Sequence, residues 1–496
     1  MSLTKVSYSM IQGAAYNVLD FGADPTGSTS SLSAFNTAVA NGGTVYVPSG
    51  TYKLDGKVTF SVDGTTLFLA AKTTLNVSGV AAVQSPFGAQ ILVSANNCAI
   101  IGSGASSLLQ NVLGTYANTV SVIPGYTKFL IRDLTMDGGK SLVTATIDDT
   151  FGSAIMFIGY TPNTSADMEA IVDNVTIKNY AQYGVSIYGN QSNGIKITNC
   201  TIREIGITAQ ANSVGAGIVA APAGSDLNIS NNTIKNCKYH GIFITSAGVA
   251  SDNHVISANN IHQNGGSGIA YTEETNYGSV NNIGIYKIAV TGNVSWGNTR
   301  SGIIFNVDTL GKLGQISITG NNCCNNTYGG IELNSTNTAP NIINNVVISG
   351  NEAVDNGTIQ IAVGQYVQFA EGVERPFTPV ISGSTSAGVG TYTSRSGTYT
   401  ITNNIVYFQL ECTWSAHTGT GNILISGFPY AAQNSDPQPT GWVWTDNLTI
   451  TGQATFGLTA NSTSGPLGAV NNGTYSAVAL DTAASLKITG FYFTTT

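Results

Sequence analysis

Charge is what this sequence has least of. Asp, Glu, Lys and Arg make up 9% of its 496 residues, against about 25% in ordinary soluble domains. Eighteen basic side chains face 26 acidic ones, for a net charge of −8. No basic stripe exists to neutralise phosphates, so no nucleic-acid partner is expected. No apolar run reaches the roughly 18 residues a membrane helix needs, so no membrane insertion is expected. The N-terminus has no signal h-region, which argues against export by a signal peptide. The six cysteines (Cys98, Cys200, Cys237, Cys323, Cys324, Cys412) lack paired zinc spacing, and two of them are adjacent. They read as buried thiols, implying assembly in a reducing compartment. No acids cluster at ligand spacing, so neither a metal nor a cofactor is expected. Sparse charge does not mean disorder here, because 42% of the chain is hydrophobic and the apolar positions are periodic.

What is abundant is repetition, between about Asn174 and Asn356. An apolar residue followed three places later by Asn recurs at Ile229/Asn232, Ile256/Asn259, Val290/Asn293, Ile318/Asn321 and Ile348/Asn351. These Asn lie 27, 34, 28 and 30 residues apart, a period typical of stacked solenoids. A second line, Gly followed by an aliphatic residue, recurs at Gly184-Val185, Gly217-Ile218, Gly241-Ile242, Gly268-Ile269, Gly302-Ile303 and Gly330-Ile331. After each Gly the first and third residues are mostly bulky and apolar, and the fourth is mostly polar. That alternation predicts a half-buried strand with the first and third side chains inward. Several short strands per repeat without a helical period predict a parallel β-helix. Its coils stack about 4.8 Å apart, and the Asn form a ladder at a turn that tolerates αL backbone.

Ahead of the repeats, Asn17-Val18-Leu19-Asp20-Phe21-Gly22-Ala23-Asp24-Pro25-Thr26-Gly27 is dense in turn signals. Ser33 to Ala40 then puts Phe35, Ala38 and Val39 on one face of a short helix, ended by Asn41-Gly42-Gly43. The run Gly43-Thr44-Val45-Tyr46-Val47-Pro48-Ser49-Gly50-Thr51-Tyr52 follows. A helix here covers the open end of the first coil. These stretches, with the lead Lys5 to Ala14, resemble the start of the pectate-lyase-like β-helix of bacteriophage tailspikes. The repeats agree with that family as far as about residue 370.

The resemblance implies a right-handed parallel β-helix in a homotrimer that degrades a capsule or lipopolysaccharide. It also implies a virion tail location among other phage tail proteins, with assembly in the host cytoplasm and action outside the cell. Such spikes carry a larger N-terminal particle-binding domain where this chain has only about fifteen residues. Either a shortened chain or attachment through a partner protein is therefore expected. The organisation read from the chain is a lead over residues 1–15, a β-helix over 16–370, a linker over 371–380 and a C-terminal domain over 381–496. In the last, Val406, Phe408, Leu410, Cys412 and Trp414 alternate with Tyr407, Gln409, Glu411 and Thr413, a strand with one dry face. Further short strands predict a β-sandwich of the jelly-roll type, giving an all-β chain. Related tail domains trimerise or bind sugar.

A solenoid carries function on an outward face, so acids aligned there are informative. Glu332 falls on an outward strand position, Glu273 and Glu274 follow the Gly268 strand, and Asp308 follows the Gly302 strand. Glu274 and Asp308 are expected about one strand spacing apart, and Glu273 and Glu332 about two, near 10 Å. Hydrolysis of a glycosidic bond uses two carboxyl groups, about 5–5.5 Å apart for retention and about 6.5–9.5 Å for inversion. These four acids are the candidates for acid, base or nucleophile. His240, Arg300, Asn306, Asn334 and Thr272 are candidates to bind substrate. A β-elimination on uronic acids stays open, with His240 as base and Arg300 opposite the sugar carboxylate. A non-catalytic receptor-binding fibre stays open as well.

Overall fold

The computed structural model describes residues 14–494, apart from 79–87, 113–117, 143–151, 160–166, 190–191, 207–214, 222–223, 246–250, 274–283, 308–311, 336–342, 358, 364–366, 370–373, 403–404 and 435–441. Two compact units divide between Gln368 and Phe369. Asp308, Glu274 and the lead up to residue 13 lie outside the described residues, as does the side chain of Glu273.

The first unit is a parallel β-helix with three walls. One coil runs through Gly284–Thr291 (wall I), Val294–Trp296 (wall II) and Ile303–Val307 (wall III), and the next repeats the order with Lys312–Thr319, Asn322–Cys324 and Gly329–Ser335. Among the described residues, walls I and II form one 22-stranded sheet and wall III an 11-stranded sheet. Neighbouring coils pair in parallel register, Val290 with Ile318 and Phe305 with Leu333. The alternation read after each repeated Gly holds on wall III. Ile242, Ile269, Ile303 and Ile331 are fully buried, as are Ile244, Tyr271, Phe305 and Leu333. The Gly itself answers to close approach. A Cβ on Gly268 would lie 2.7 Å from the Gly302 carbonyl oxygen, and one on Gly302 equally close to that of Gly330. Any side chain in this column pushes the next coil away.

The corners explain the repeating Asn. Between walls I and II the αL residue is the one before it: Asn231, Ala258, Gly292, Gly320 and Gly350 all have φ between 54° and 63°. The αL backbone of this turn thus falls on the residue ahead of the Asn. Its neighbour makes the turn, which aims the Asn side chain into the coil. There each amide serves the adjacent rungs. Asn293 Oδ1 accepts from Asn259 N at 3.0 Å and Asn259 Nδ2 at 2.9 Å, while Asn293 Nδ2 donates to Asn321 Oδ1 and to the Ile256 carbonyl, both at 2.9 Å. The chain of amides runs from Asn232 to Asn351.

A second ladder, Asn264–Asn298–Asn326–Asn356, turns the corner between walls II and III by the same device. Its αL residues are Gln263, Gly297, Asn325 and Asp355. One rung before each ladder stands a buried thiol, Cys200 and Cys237, whose N–H donates to the first Asn. All six cysteines are free, and all but Cys324 are buried.

The N-terminal helix, Leu32–Val39, buries Ala34, Phe35, Ala38 and Val39. Val58–Phe60 is the edge strand of wall III, and Asn36 stands in for the strand it lacks. Asn36 Nδ2 donates to the Lys57 carbonyl at 3.0 Å and its Oδ1 accepts from Thr59 N at 3.2 Å. An edge closed this way cannot template another chain.

The second unit is a sandwich of two antiparallel sheets. One contains Arg375–Phe377, Gly390–Thr402, Ile405–His417, Ala484–Phe493 and Trp442–Asp446, in that order. The other contains Val380–Gly383, Ile423–Ser426, Ser464–Asn471 and Gln453–Phe456, with Thr474–Ala477 beside Ser464–Asn471. Val406, Phe408, Leu410, Cys412 and Trp414 enter the core between them. Within the segment expected as a linker, Arg375–Phe377 is a strand, and Arg375 is buried with its guanidinium 5.4 Å from the Tyr399 ring centre.

Two substitutions test the corner in opposite directions. Asn293→Ala orphans the Asn259 N–H inside the coil and is expected to cost about 2–3 kcal/mol. Ala258→Gly relieves an αL alanine and is expected to add about 1 kcal/mol. Thermal melts of both variants against wild type read the two shifts.

Candidate active site

Wall III carries its outward side chains in columns fixed by register. Phe243, Ala270, Ile304 and Glu332 occupy one column on successive rungs, and Thr272, Asn306 and Asn334 the next. The residue before each repeated Gly makes a third column at the start of the wall, His240, Ser267, Ser301 and Gly329, all of them buried. Glu332 reaches across these columns. Its Oε1 accepts from the Ser301 hydroxyl and its Oε2 from Asn334 Nδ2 at 3.2 Å. Both carboxylate oxygens are thus oriented by neighbours on the same wall. The side chain lies over Gly329, where a Cβ would collide with the carboxylate.

One rung below Ser267, and two below Ser301, an aromatic group borders the site. The His240 ring stacks on Phe243 with centroids 5.3 Å apart, and Tyr239 meets Phe243 edge-on at 6.3 Å. The exposed Arg300 guanidinium stands 5.8 Å from the Tyr239 ring centre, a cation over an aromatic face. His240 is buried, and its Nδ1 accepts from Ser267 N at 2.8 Å. Burial pushes its pKa down to about 3, with the Arg300 charge adding to the effect. The ring is therefore neutral near pH 7. With Nδ1 accepting, its proton sits on Nε2 (an assignment from the hydrogen bond), so it offers a donor and not a base.

The register brings Glu332, Asn334, Asn306, Thr272, His240 and Arg300 onto one wall. It does not bring Glu273 as near as sequence spacing suggested. Glu273 pairs with Val307, three residues beyond Ala270, whereas Glu332 pairs with Ile304 and through it with Ala270. Two rungs across and three residues along separate the backbones by about 14 Å, not about 10 Å. Val307 is itself fully buried. Of the aromatic residues, Tyr271 stacks on Phe305 inside the coil at 4.9 Å, and Trp296 stacks on His262 on wall II. Tyr328 is 55% exposed beside Gly329. Ser301 escaped the sequence reading, because a Ser precedes the repeated Gly only at Ser267 and Ser301 and so makes no repeating signal. Among the described residues, no three His, Cys, Asp or Glu side chains are placed to hold a metal.

The right-handed beta-helix region family matches residues 135–295. Among solved structures, the Dettilon tailspike protein (gp208) superposes with a TM-score of 0.57 at 14% identity, covering 97% of this chain and 94% of that one. That likeness is one of fold, and the class the fold defines is the parallel β-helix. In sequence, the mannuronan C5-epimerase AlgE1 of Azotobacter vinelandii is 26% identical over 301 residues, 58% of this chain and 18% of that protein. Alginate lyase 7 of the same organism is 27% identical over 180 residues, 34% of this chain and 17% of that protein. The chain thus spans less than a fifth of either relative's length.

The buried histidines make stability depend on pH. Burial pushes His254 down as well, to about 4. An unfolded chain takes up protons near pH 6.5 that these folded rings refuse, so stability is full above pH 6.5 and falls as the pH drops towards 4. His240 alone contributes up to about 3 kcal/mol of that loss at pH 4. Melting temperatures from pH 7 to pH 4 are expected to fall, and His240→Gln to flatten the slope.

Proposed function

We propose that this chain is a phage tailspike depolymerase that hydrolyses a bacterial surface polysaccharide, capsule or lipopolysaccharide, laid along wall III. The observation that carries the reading is the Glu332 carboxylate, held by Ser301 and Asn334 on an outward face that also bears Arg300 and the Tyr239–Phe243 aromatic group. A polymer running along the coil axis meets a new side chain about every 4.8 Å. Columns of hydroxyl, amide and aromatic groups suit sugar hydroxyls and ring faces.

Glycoside hydrolysis needs a second carboxyl group. In this reading Asp308 supplies it, with Glu274 and Glu273 as further candidates. One acid protonates the leaving oxygen and the other activates water or attacks the sugar directly. Thr272, Asn306 and Asn334 hold hydroxyls, and His240 donates from Nε2. A homotrimer, a place in the virion tail beside other tail proteins, and assembly in the host cytoplasm belong to the same reading. Likeness to a tailspike over nearly the whole chain supports it.

A second reading is favoured by the curated relatives, a mannuronan epimerase and an alginate lyase. There the substrate is a uronic acid polymer, Arg300 neutralises the sugar carboxylate, and a base removes the adjacent proton. His240 does not suit that base, because its Nδ1 lone pair is taken by the Ser267 amide.

Incubation with capsules from several bacterial strains separates the readings. New reducing ends without an ultraviolet-absorbing unsaturated sugar mean hydrolysis; the unsaturated product means elimination; neither product means a binding fibre. Glu332→Gln and Asp308→Asn are each expected to lower turnover by roughly 100-fold or more, with melting unchanged. Gly329→Ala displaces the Glu332 carboxylate without removing a functional group and is expected to lower turnover too. Wild-type rates in both acid variants sink the assignment.

A further inference from the structure

The second unit presents a different surface, the outer face of its five-stranded sheet. Register lays out two rows across it. One runs Thr398, Gln409, Thr489, Trp442, and the next runs Ser396, Glu411, Lys487, Trp444. An open concavity of about 340 Å³ lies over the middle of these rows, lined in part by Gln409, Glu411, Lys487 and Thr489. Along its edge strand stand two indoles. Trp442 is 86% exposed and Trp444 54%. They are alternate residues of one strand, so they share a face about 6.7 Å apart.

The polar groups in the middle are arranged. Lys487 Nζ lies 3.0 Å from a Glu411 oxygen and 6.0 Å from the centre of the Trp444 ring system. Gln409 Nε2 donates to Thr398 Oγ1 at 3.0 Å. An indole can bury 150–250 Å² (about) of apolar surface, so leaving two of them in water on one face is unfavourable unless something covers them.

The distribution of charge says what kind of cover fits. Contacts between protein chains place apolar groups at the centre and charges at the rim. Here the order is reversed, with an ion pair and an amide in the middle and the indoles along the side. A second copy docking here would bury the Glu411–Lys487 pair at its centre, where desolvation opposes it. A pyranose has the matching shape: a C–H face for an indole and a rim of hydroxyls for Gln409, Glu411 and Lys487. The two charges cancel, which selects neutral sugars over acidic ones.

We infer that this face is a second, non-catalytic site that binds a chain of neutral hexopyranoses. It stands apart from the wall III assignment, which uses none of these residues. The test is titration of the full chain with maltohexaose, cellohexaose and mannohexaose, read by tryptophan fluorescence and calorimetry. Saturable binding to at least one is expected, weakened about tenfold or more by Trp442→Ala and by Trp444→Ala, and unchanged by Glu332→Gln. Binding to none of the three overturns the inference, as does wild-type affinity in both tryptophan variants. Light scattering supplies the remaining arm. If the double variant changes oligomeric state, the face is a contact between copies and the inference fails.

Discussion

A buried side-chain amide that bonds the coil on either side of it is the interaction on which the β-helix depends. Each ladder Asn accepts from the N–H of its counterpart one rung away and donates to a carbonyl and to the next amide. Without it, every corner would leave a backbone N–H inside the coil without a partner, at a cost of about 1–3 kcal/mol each. The αL residue preceding the Asn is the other half of the device, because it turns the chain while aiming the amide inward. Two such corners per coil hold three walls at fixed angles. The close contact between each repeated Gly and the next coil's carbonyl then fixes the rung at the start of wall III.

That rigidity is what makes an outward face usable. Once the rung is set, residues some 30 positions apart in sequence become neighbours, as Ser301 and Glu332 do. Positional precision comes from the scaffold, and chemistry comes from which outward position carries a polar group. In a chain with 9% charged residues, an acid oriented by two donors stands out against a background of neutral groups. His240 illustrates the other outcome. The same wall buries it and engages its Nδ1, leaving a neutral donor.

Much of this was legible from the residues. The apolar–x–x–Asn and Gly–aliphatic lines gave the solenoid, the inward positions of wall III and the inward-facing Tyr271. The pattern from Val406 to Trp414 gave the dry face of the sandwich strand. The short helix at Phe35 was legible as well, though the pairing of Asn36 with the edge strand was not, since nothing local marks an amide as a substitute strand. The second Asn ladder was missed because the residue three places before its members is small or polar on three rungs, Ser295, Cys323 and Ala353, where the first ladder has Ile or Val throughout.

Sequence by itself determined the repeat, because the alternation of strands and the small set of residues tolerant of αL backbone are local requirements. It also determined which wall positions face outward. The repeated Gly also marked the register of wall III, and only the tertiary structure decided which side chains meet across it. Counting rungs left out the offset along the strand: Glu273 stands five residues after its Gly and Glu332 two after its own, so they are three residues apart along the wall as well as two rungs across. Likewise the bonds from Ser301 and Asn334 to Glu332, and the loss of a basic nitrogen on His240, arise from contacts between coils. Those contacts exist only once the chain has wound past itself.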